Sequence, residues 1–153
     1  MVMTESEARA AIVAEARRWI ATPYHNCADV RGAGIDCGML LVRVFVDLGL
    51  MPPVDPRPYA SDWHLHRGEE RYLGHLQKHF VEANTPDAGD VIVFRYGRCY
   101  SHGGIVTLAQ PLTLVHAYWP TRMVLEEELS RNAELADPAR ERRFFSIWPK
   151  AAA

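Results

Sequence analysis

The stretch that most constrains the fold runs from Gly34 to Gly49, where a glycine-containing loop leads into a cysteine and an apolar segment. The apolar residues recur at steps of three and four, which predicts a helix with one broad face turned to a core. They are Leu40, Leu41, Val44, Phe45 and Leu48. Gly49 fits the position just past the last helical turn, and Pro52 and Pro53 prevent any continuation.

Cys37 lies at or near the start of this predicted helix. The unsatisfied N–H groups and the macrodipole at a helix N-terminus favour a negative charge. We therefore expect the pKa of the Cys37 thiol to be lowered from its usual value of about 8.5, which would make Cys37 a nucleophile. The alternative is a cysteine that serves only as a small buried apolar residue.

Length and composition indicate an ordinary globular protein. The chain has 153 residues, 48% of them apolar and 24% charged, which fits a single domain over residues 1–153. A net charge of −2 gives no reason to expect a nucleic acid as partner. Three cysteines make a poor disulfide framework and suit a reducing compartment. With a polar N-terminus and no apolar run of membrane-spanning length, the protein is expected to be cytoplasmic when made.

The order of the predicted elements indicates the fold class. Thr4 and Glu7 form a capping box that begins a helix over residues 5–20, with Ile20 expected to face inwards. Another helix is predicted over residues 68–83, with Val81 facing inwards. Strands are expected at residues 91–94, 104–108 and 112–118, with weaker candidates at 123–125 and 144–148. Helices followed by strands predict an α+β fold, in which the helices pack on one face of an antiparallel sheet.

Two histidines on neighbouring predicted strands are the candidates for a base and its orienting partner. If the hairpin folds about residue 109, His102 and His116 lie directly opposite each other; if it folds about residue 110, they are diagonal on the same face. A smaller change in the turn would put them on opposite faces. In the first two cases His102 can take the proton of Cys37 while His116 orients the ring of His102.

The remaining histidines offer a zinc site as an alternative. His75 and His79 lie four residues apart on a helical face, and His64 and His66 lie upstream. The glutamate of a His-Glu-x-x-His site is missing, so solvated or capping roles are favoured. No metal or cofactor is expected.

Three other features have plain structural interpretations. Cys27 precedes Cys37 closely enough for a disulfide or a redox gate, but a reducing compartment favours free thiols. Cys99 fits a buried strand-edge residue. Glu126, Glu127 and Glu128 are expected to form a solvated face.

Five short motifs cover nearly the whole chain. They are Tyr24, Gly34-Ile35-Asp36-Cys37, Ala88-Gly89-Asp90-Val91-Ile92-Val93-Phe94, Ser101-His102-Gly103-Gly104-Ile105-Val106 and Val115-His116-Ala117. In order and spacing they resemble the motifs of the NlpC/P60 cysteine peptidases. The segment from Asp62 to His66 also resembles the branch of that family found in phages and gene-transfer agents. The resemblance implies a papain-like core, with N-terminal helices packed on a five- to six-stranded antiparallel sheet.

The resemblance also implies an activity. Members of this family hydrolyse amide bonds in the peptide stems of peptidoglycan, typically between D-γ-glutamate and diaminopimelate or lysine. Carried over by motif, Cys37 is the nucleophile, His102 the base and His116 the residue that orients it. Tyr24 is implied to position the substrate or its oxyanion. Asp36 is implied either to bind the substrate's amine or to hold the loop.

The substrate contacts and the biological setting are less closely constrained. Trp63 and His64 are predicted to line the substrate groove, while Gly38 stands where many family members carry a serine hydroxyl. An enzyme delivered by a phage tail or gene-transfer-agent particle would need neither an export signal nor a targeting module. The alternatives are a tail-tip or assembly subunit that keeps the fold without catalysis, and an amidase acting on another small substrate.

Overall fold

The computed structural model describes residues 2–59 and 71–149, which form an α+β fold with helices packed on a six-stranded antiparallel sheet. The helices are α1 (Glu5–Arg17), α2 (Cys37–Asp47), α3 (Arg71–His79) and α4 (Ala133–Ala136). The strands are β1 (Asp29–Val30), β2 (Gly34–Ile35), β3 (Val81–Ala83), β4 (Val91–Tyr96), β5 (Cys99–Leu108), β6 (Thr113–Tyr118), β7 (Met123–Glu128) and β8 (Arg142–Ser146). The papain-like architecture predicted from the sequence is confirmed.

The sheet has the strand order β3-β8-β4-β5-β6-β7, and β1 and β2 pair in a separate small hairpin. Strands β4 to β7 follow one another as antiparallel neighbours, whereas β8 returns to lie between β3 and β4. The outer side of β7 is partly covered, because Ala21 N–H donates to the carbonyl of Val124 and Val124 N–H donates to that of Thr22, both at 2.9 Å. Among the described residues, β3 and β7 are therefore the edge strands of the sheet, and β7 is partly covered.

Helix α2 lies deepest in the core. Leu40, Val44 and Phe45 are fully buried and pack with α1, α3 and one face of the sheet. The opposite face of the sheet builds a second cluster with the segment around α4, which includes Phe94, Leu114 and Leu135. Gly49 has a φ of +71°, as expected for the residue just past the last turn of α2. Within the described ranges, no helix is both long and apolar enough to cross a membrane.

Helix α1 begins as predicted and ends earlier. Both hydrogen bonds of the capping box are present, from Glu7 N–H to Thr4 Oγ1 at 3.1 Å and from Thr4 N–H to Glu7 Oε2 at 2.9 Å. The predicted end at residue 20 is wrong: the helix stops at Arg17, and Ile20 is 40% exposed. The chain leaves the helix there because it turns to pair its backbone with β7.

The helix predicted over residues 68–83 is also shorter than expected. Its first three residues lie outside the described part of the chain, and α3 ends at His79. The last three residues of the predicted helix form β3, which pairs with β8, and Val81 is 48% exposed rather than inward. The free backbone edge of β8 is a partner that a helical pattern in the sequence does not reveal.

Candidate active site

Asp36 fixes the loop that leads into Cys37. The Asp36 side chain caps α2, since its Oδ1 accepts a hydrogen bond from Met39 N–H at 2.8 Å. Its Oδ2 accepts from Cys27 N–H at 2.7 Å and from the Tyr59 hydroxyl at 2.6 Å. The carboxylate is 1% exposed. Both oxygens are thus occupied by donors from the protein, an arrangement that holds the loop and leaves little capacity for a substrate amine.

The Cys37 thiol lies at the first residue of α2, partly buried against β5. Its Sγ is 3.6 Å from the carbonyl oxygen of Ser101, and the hydroxyl of Tyr24 also hydrogen-bonds to it. Burial, and after it the adjacent charge of Asp36, raise the pKa of Cys37 to about 12, although hydrogen bonds from the amide of Gly103 and from Tyr24 offset part of this rise. The expectation of a lowered thiol pKa is therefore wrong. Desolvation and the Asp36 carboxylate outweigh the effect of the helix N-terminus.

His102 and His116 are diagonal neighbours on the β5–β6 hairpin. Strands β5 and β6 pair Ile105 with Val115 and Val106 with Leu114, so the hairpin folds about residue 110. His102 Nε2 lies 2.8 Å from His116 Nδ1, which confirms that the two rings share a face and touch. Gly104 makes this possible, because a Cβ there would lie 2.9 Å from the Cβ of His116.

His102 sits in an aromatic, largely dry environment. Its ring stacks on Phe94 at a centroid distance of 5.8 Å and lies beside Tyr96 and Tyr118 at 6.2 and 5.6 Å. Burial lowers the pKa of His102 well below its usual 6.5, and a positive charge on His116, when that ring is protonated, or on Arg140 acts in the same direction. The imidazole is therefore neutral at neutral pH. In the described part of the chain, no protein group hydrogen-bonds to its Nδ1.

Glu127 is a site residue that the sequence reasoning missed. Its Oε2 lies 2.7 Å from His116 Nε2 and accepts a hydrogen bond from Asn132 Nδ2 at 3.2 Å. The expected solvated face of three glutamates is thus wrong at Glu127, and Glu126 instead pairs with Arg17 at 3.0 Å. The register of β6 and β7 could have indicated this contact, because it places residue 127 opposite Leu114 and hence on the same face as His116.

A groove of about 920 Å³ connects these groups. Of the predicted site residues, Tyr24, Asp36, Cys37 and His102 line it, while His116 lies behind His102 and is fully buried. Trp63 and His64, predicted to line the groove, lie outside the described residues. One wall is apolar and is formed by residues of α2, of the following loop, of α3 and of the position just after α3: Leu41, Val42, Met51, Val54, Leu76 and Phe80.

Two features of this groove were not expected from the sequence. Trp119 is 58% exposed at the rim, with the guanidinium of Arg122 5.0 Å from the centre of its ring and the ring of Tyr24 at 5.4 Å. Tyr72 also lines the groove, and within the described residues its buried hydroxyl has no hydrogen-bond partner. That hydroxyl packs on Gly103 so closely that a Cβ there would lie under 3.0 Å from it.

The other cysteines and histidines do not build a further centre. None of the three cysteines forms a disulfide; the thiol of Cys27 donates to the carbonyl of Tyr59 at 3.3 Å, and Cys99 is buried. Among residues 2–59 and 71–149, no group of three or more His, Cys, Asp or Glu side chains is arranged to hold a metal ion. His64 and His66 of the alternative zinc site fall outside those ranges.

Solved structures share this fold over most of their length. The chain resembles the NlpC/p60 domain of the peptidoglycan hydrolase SagA, with a TM-score of 0.59 and 20% identity over 88% of this chain and 96% of that one. It also resembles two crystal structures of an N-acetylmuramoyl-L-alanine amidase from Bacteroides uniformis ATCC 8492, with TM-scores of 0.50 and 0.51 and 16% identity in both. These cover 90% of this chain and 98% and 97% of the amidase chains. No protein-family model and no curated protein matches the sequence.

The class that fold and site define is therefore an α+β domain with the NlpC/P60 fold. In this domain a cysteine begins the buried helix, and a contacting histidine pair lies on the sheet beside the same groove.

Proposed function

We propose that the protein is a cysteine hydrolase of the NlpC/P60 type that cleaves an amide bond in the peptide stem of peptidoglycan. The observation that carries the proposal is the shared groove, which contains the thiol of Cys37 and the ring of His102, with His116 in contact behind that ring. A nucleophile, a base and an orienting group in this order are what acyl transfer requires. The fold shared with the peptidoglycan hydrolase SagA supports this class of substrate.

The chemistry begins from a neutral thiol and a neutral imidazole, because burial raises the pKa of Cys37 and lowers that of His102. His102 removes the thiol proton as Sγ attacks the amide carbonyl, so the thiolate forms only as it is consumed. The oxyanion would be held by the hydroxyl of Tyr24 and by the amide N–H of Cys37 at the start of α2, which donates to the Tyr24 hydroxyl before substrate binds.

The second half of the reaction returns the enzyme to its starting state. The protonated His102 gives its proton to the leaving amine as the carbon–nitrogen bond breaks, and a thioester remains on Cys37. Water, deprotonated by the same imidazole, then attacks the thioester and releases a carboxylic acid and the thiol. The steps balance without an oxidant or a metal ion.

The bond that we favour joins D-γ-glutamate to diaminopimelate in the stem peptide, and the motif resemblance is its support. A second candidate is the amide between N-acetylmuramic acid and L-alanine, because two of the similar structures are N-acetylmuramoyl-L-alanine amidases. Both reactions release a new amine and a new carboxylate, and the masses of the fragments distinguish them.

Hydrolysis of purified peptidoglycan by the wild type and by Cys37→Ala tests the proposal, with fragments identified by mass spectrometry. We expect cleavage by the wild type and a loss of at least about 10³-fold in Cys37→Ala, since the covalent step is removed. Cys27→Ser is the matched control, because it removes a free thiol that does not line the groove. A folded, reduced wild type that releases no fragment from peptidoglycan would refute the peptidoglycan proposal and favour a tail-tip subunit or a different amide substrate.

Delivery by a phage tail or gene-transfer-agent particle is part of the same proposal. It is supported by the resemblance of residues 62–66 to that branch, a segment outside the described residues. Mass spectrometry of purified particles tests it, and particles that lack the protein would contradict it.

A further inference from the structure

We propose that Glu127 is a positioning residue that determines which ring nitrogen of His102 acts as the base. The inference rests on the proposed function, in which His102 deprotonates Cys37. It extends the site by one group beyond the histidine pair and gives that group a defined task.

Three side chains form a continuous chain of hydrogen bonds that ends at a carboxylate. His102 Nε2 is 2.8 Å from His116 Nδ1, and His116 Nε2 is 2.7 Å from Glu127 Oε2. Both contacts are short, and the His116 ring between them is fully buried. Water therefore has no access to the ring of His116 and cannot replace either contact.

The direction of each hydrogen bond follows from the carboxylate. An ionised glutamate only accepts hydrogen bonds, and the bond from His116 keeps the pKa of Glu127 below its usual 4.5. His116 Nε2 must therefore carry a hydrogen, which leaves Nδ1 of a neutral His116 as an acceptor. His102 Nε2 must then donate to that nitrogen, so the lone pair of a neutral His102 is on Nδ1. One carboxylate thus fixes the tautomers of both rings.

Glu127 is itself held in place. Asn132 Nδ2 donates to the same Oε2 atom at 3.2 Å, while Asn132 Oδ1 accepts from Leu135 N–H at 3.1 Å and caps α4. The carboxylate is therefore positioned between the end of β7 and the start of α4 before any substrate binds. In this arrangement the base is pre-oriented and needs no rearrangement during the reaction.

Glu127 could instead serve only to hold β6 and β7 together. Two measurements distinguish this structural role from the proposed positioning role. The first is the tautomer of each histidine, read from the ¹⁵N shifts of the ring nitrogens by NMR without any substrate. The second is the division of the kinetic effect between kcat and KM on peptidoglycan fragments. A structural tie would change stability and leave the His102 tautomer as it is.

The variants are Glu127→Ala and Glu127→Gln, with Glu126→Gln as the matched control on the same strand. In Glu127→Ala we expect His102 to lose its single Nε2–H tautomer and kcat to fall about 10- to 100-fold with little change in KM. Glu127→Gln keeps an oxygen that accepts from His116, so the tautomer and more of the rate should remain. Glu126→Gln removes a charge that pairs with Arg17 and should change neither reading.

An unchanged His102 tautomer in folded Glu127→Ala would overturn the inference, and so would an equal loss of kcat in Glu126→Gln. If Glu127→Ala does not fold, a mixed His102 tautomer in the wild type would overturn it in the same way. Because the NMR measurement needs no substrate, it decides the role of Glu127 even if peptidoglycan proves not to be the substrate.

Discussion

Burial and one neighbouring charge set the resting state of the candidate nucleophile. Asp36 is needed at its position because it caps α2 and ties the preceding loop to Tyr59. The same carboxylate lies next to the Cys37 thiol and, after desolvation, is the main reason why the thiol pKa is raised. The site thus combines a firmly held loop with a thiol that stays protonated until the base acts.

The raised pKa predicts how Cys37 reacts with iodoacetamide in the absence of substrate. Since only the thiolate is alkylated, the rate should rise roughly tenfold per pH unit between about pH 7 and pH 9 and show no plateau in that range. Mass spectrometry of the alkylated Cys37 peptide gives the rate. A plateau at or below neutral pH would mean that the thiol is ionised at rest and that burial does not control it.

The residues of the site differ in how far the sequence could predict them. Cys37, His102 and His116 were found because helix periodicity and strand alternation are local patterns that place a side chain on a given face. Glu127 was missed because its role depends on the register between β6 and β7, which the turn sets. The predicted direction of the Cys37 pKa shift was wrong because burial is a property of the packed site and cannot be inferred from the helix start alone.

At the scale of elements, a buried ion pair ties α1 to the sheet. Arg9 Nη1 lies 2.8 Å from Asp90 Oδ1, and the Asp90 side chain is fully buried at the start of β4. The same guanidinium donates to the carbonyl of Ala88 at 3.0 Å and lies 4.6 Å from the centre of the Trp148 ring. Arg9 therefore contacts both the turn before β4 and the segment after β8.

Replacing Arg9 by alanine should destabilise the protein by about 3–5 kcal/mol, because it leaves the buried Asp90 carboxylate without its cation. The matched control is Arg18→Ala at the residue that caps the end of α1, which removes a pair with Glu15 whose arginine is 58% exposed and should cost about 0–1 kcal/mol. Urea unfolding of both variants measures the free energies of unfolding. Equal costs would show that burial of the Arg9 pair is unimportant.

The elements that were predicted well are those whose partners are close in sequence. Strands β4, β5 and β6 follow one another, and their apolar runs gave their positions within a few residues. The end of α3 was missed because β3 pairs with β8, which lies about 60 residues further along the chain. Such long-range pairing leaves no periodic signal in the sequence.

At the scale of the whole molecule, the buried neutral His102 couples stability to pH. Its pKa is lowered in the folded state, so at mildly acidic pH the unfolded chain binds one more proton there than the folded chain does. The free energy of unfolding should therefore fall as the pH drops below the usual histidine pKa of about 6.5, and the contribution is fully present above it.

A His102→Gln variant should lose less thermal stability than the wild type between about pH 7 and pH 5, since it has no imidazole to protonate. His25→Gln is the control, because His25 is exposed. The melting temperatures of the three proteins across this pH range test the prediction. If the melting temperatures of the wild type and of His102→Gln fall by the same amount as the pH is lowered, His102 is not the source of the pH dependence.

The way in which β7 closes the sheet bears on how copies of the protein behave when concentrated. Its first half is already paired with residues 21–24, and its second half carries three glutamates in a row. A strand from another molecule would find few free backbone groups on the first half and like charges on the second. The β7 edge is therefore protected against strand pairing with another copy of the protein.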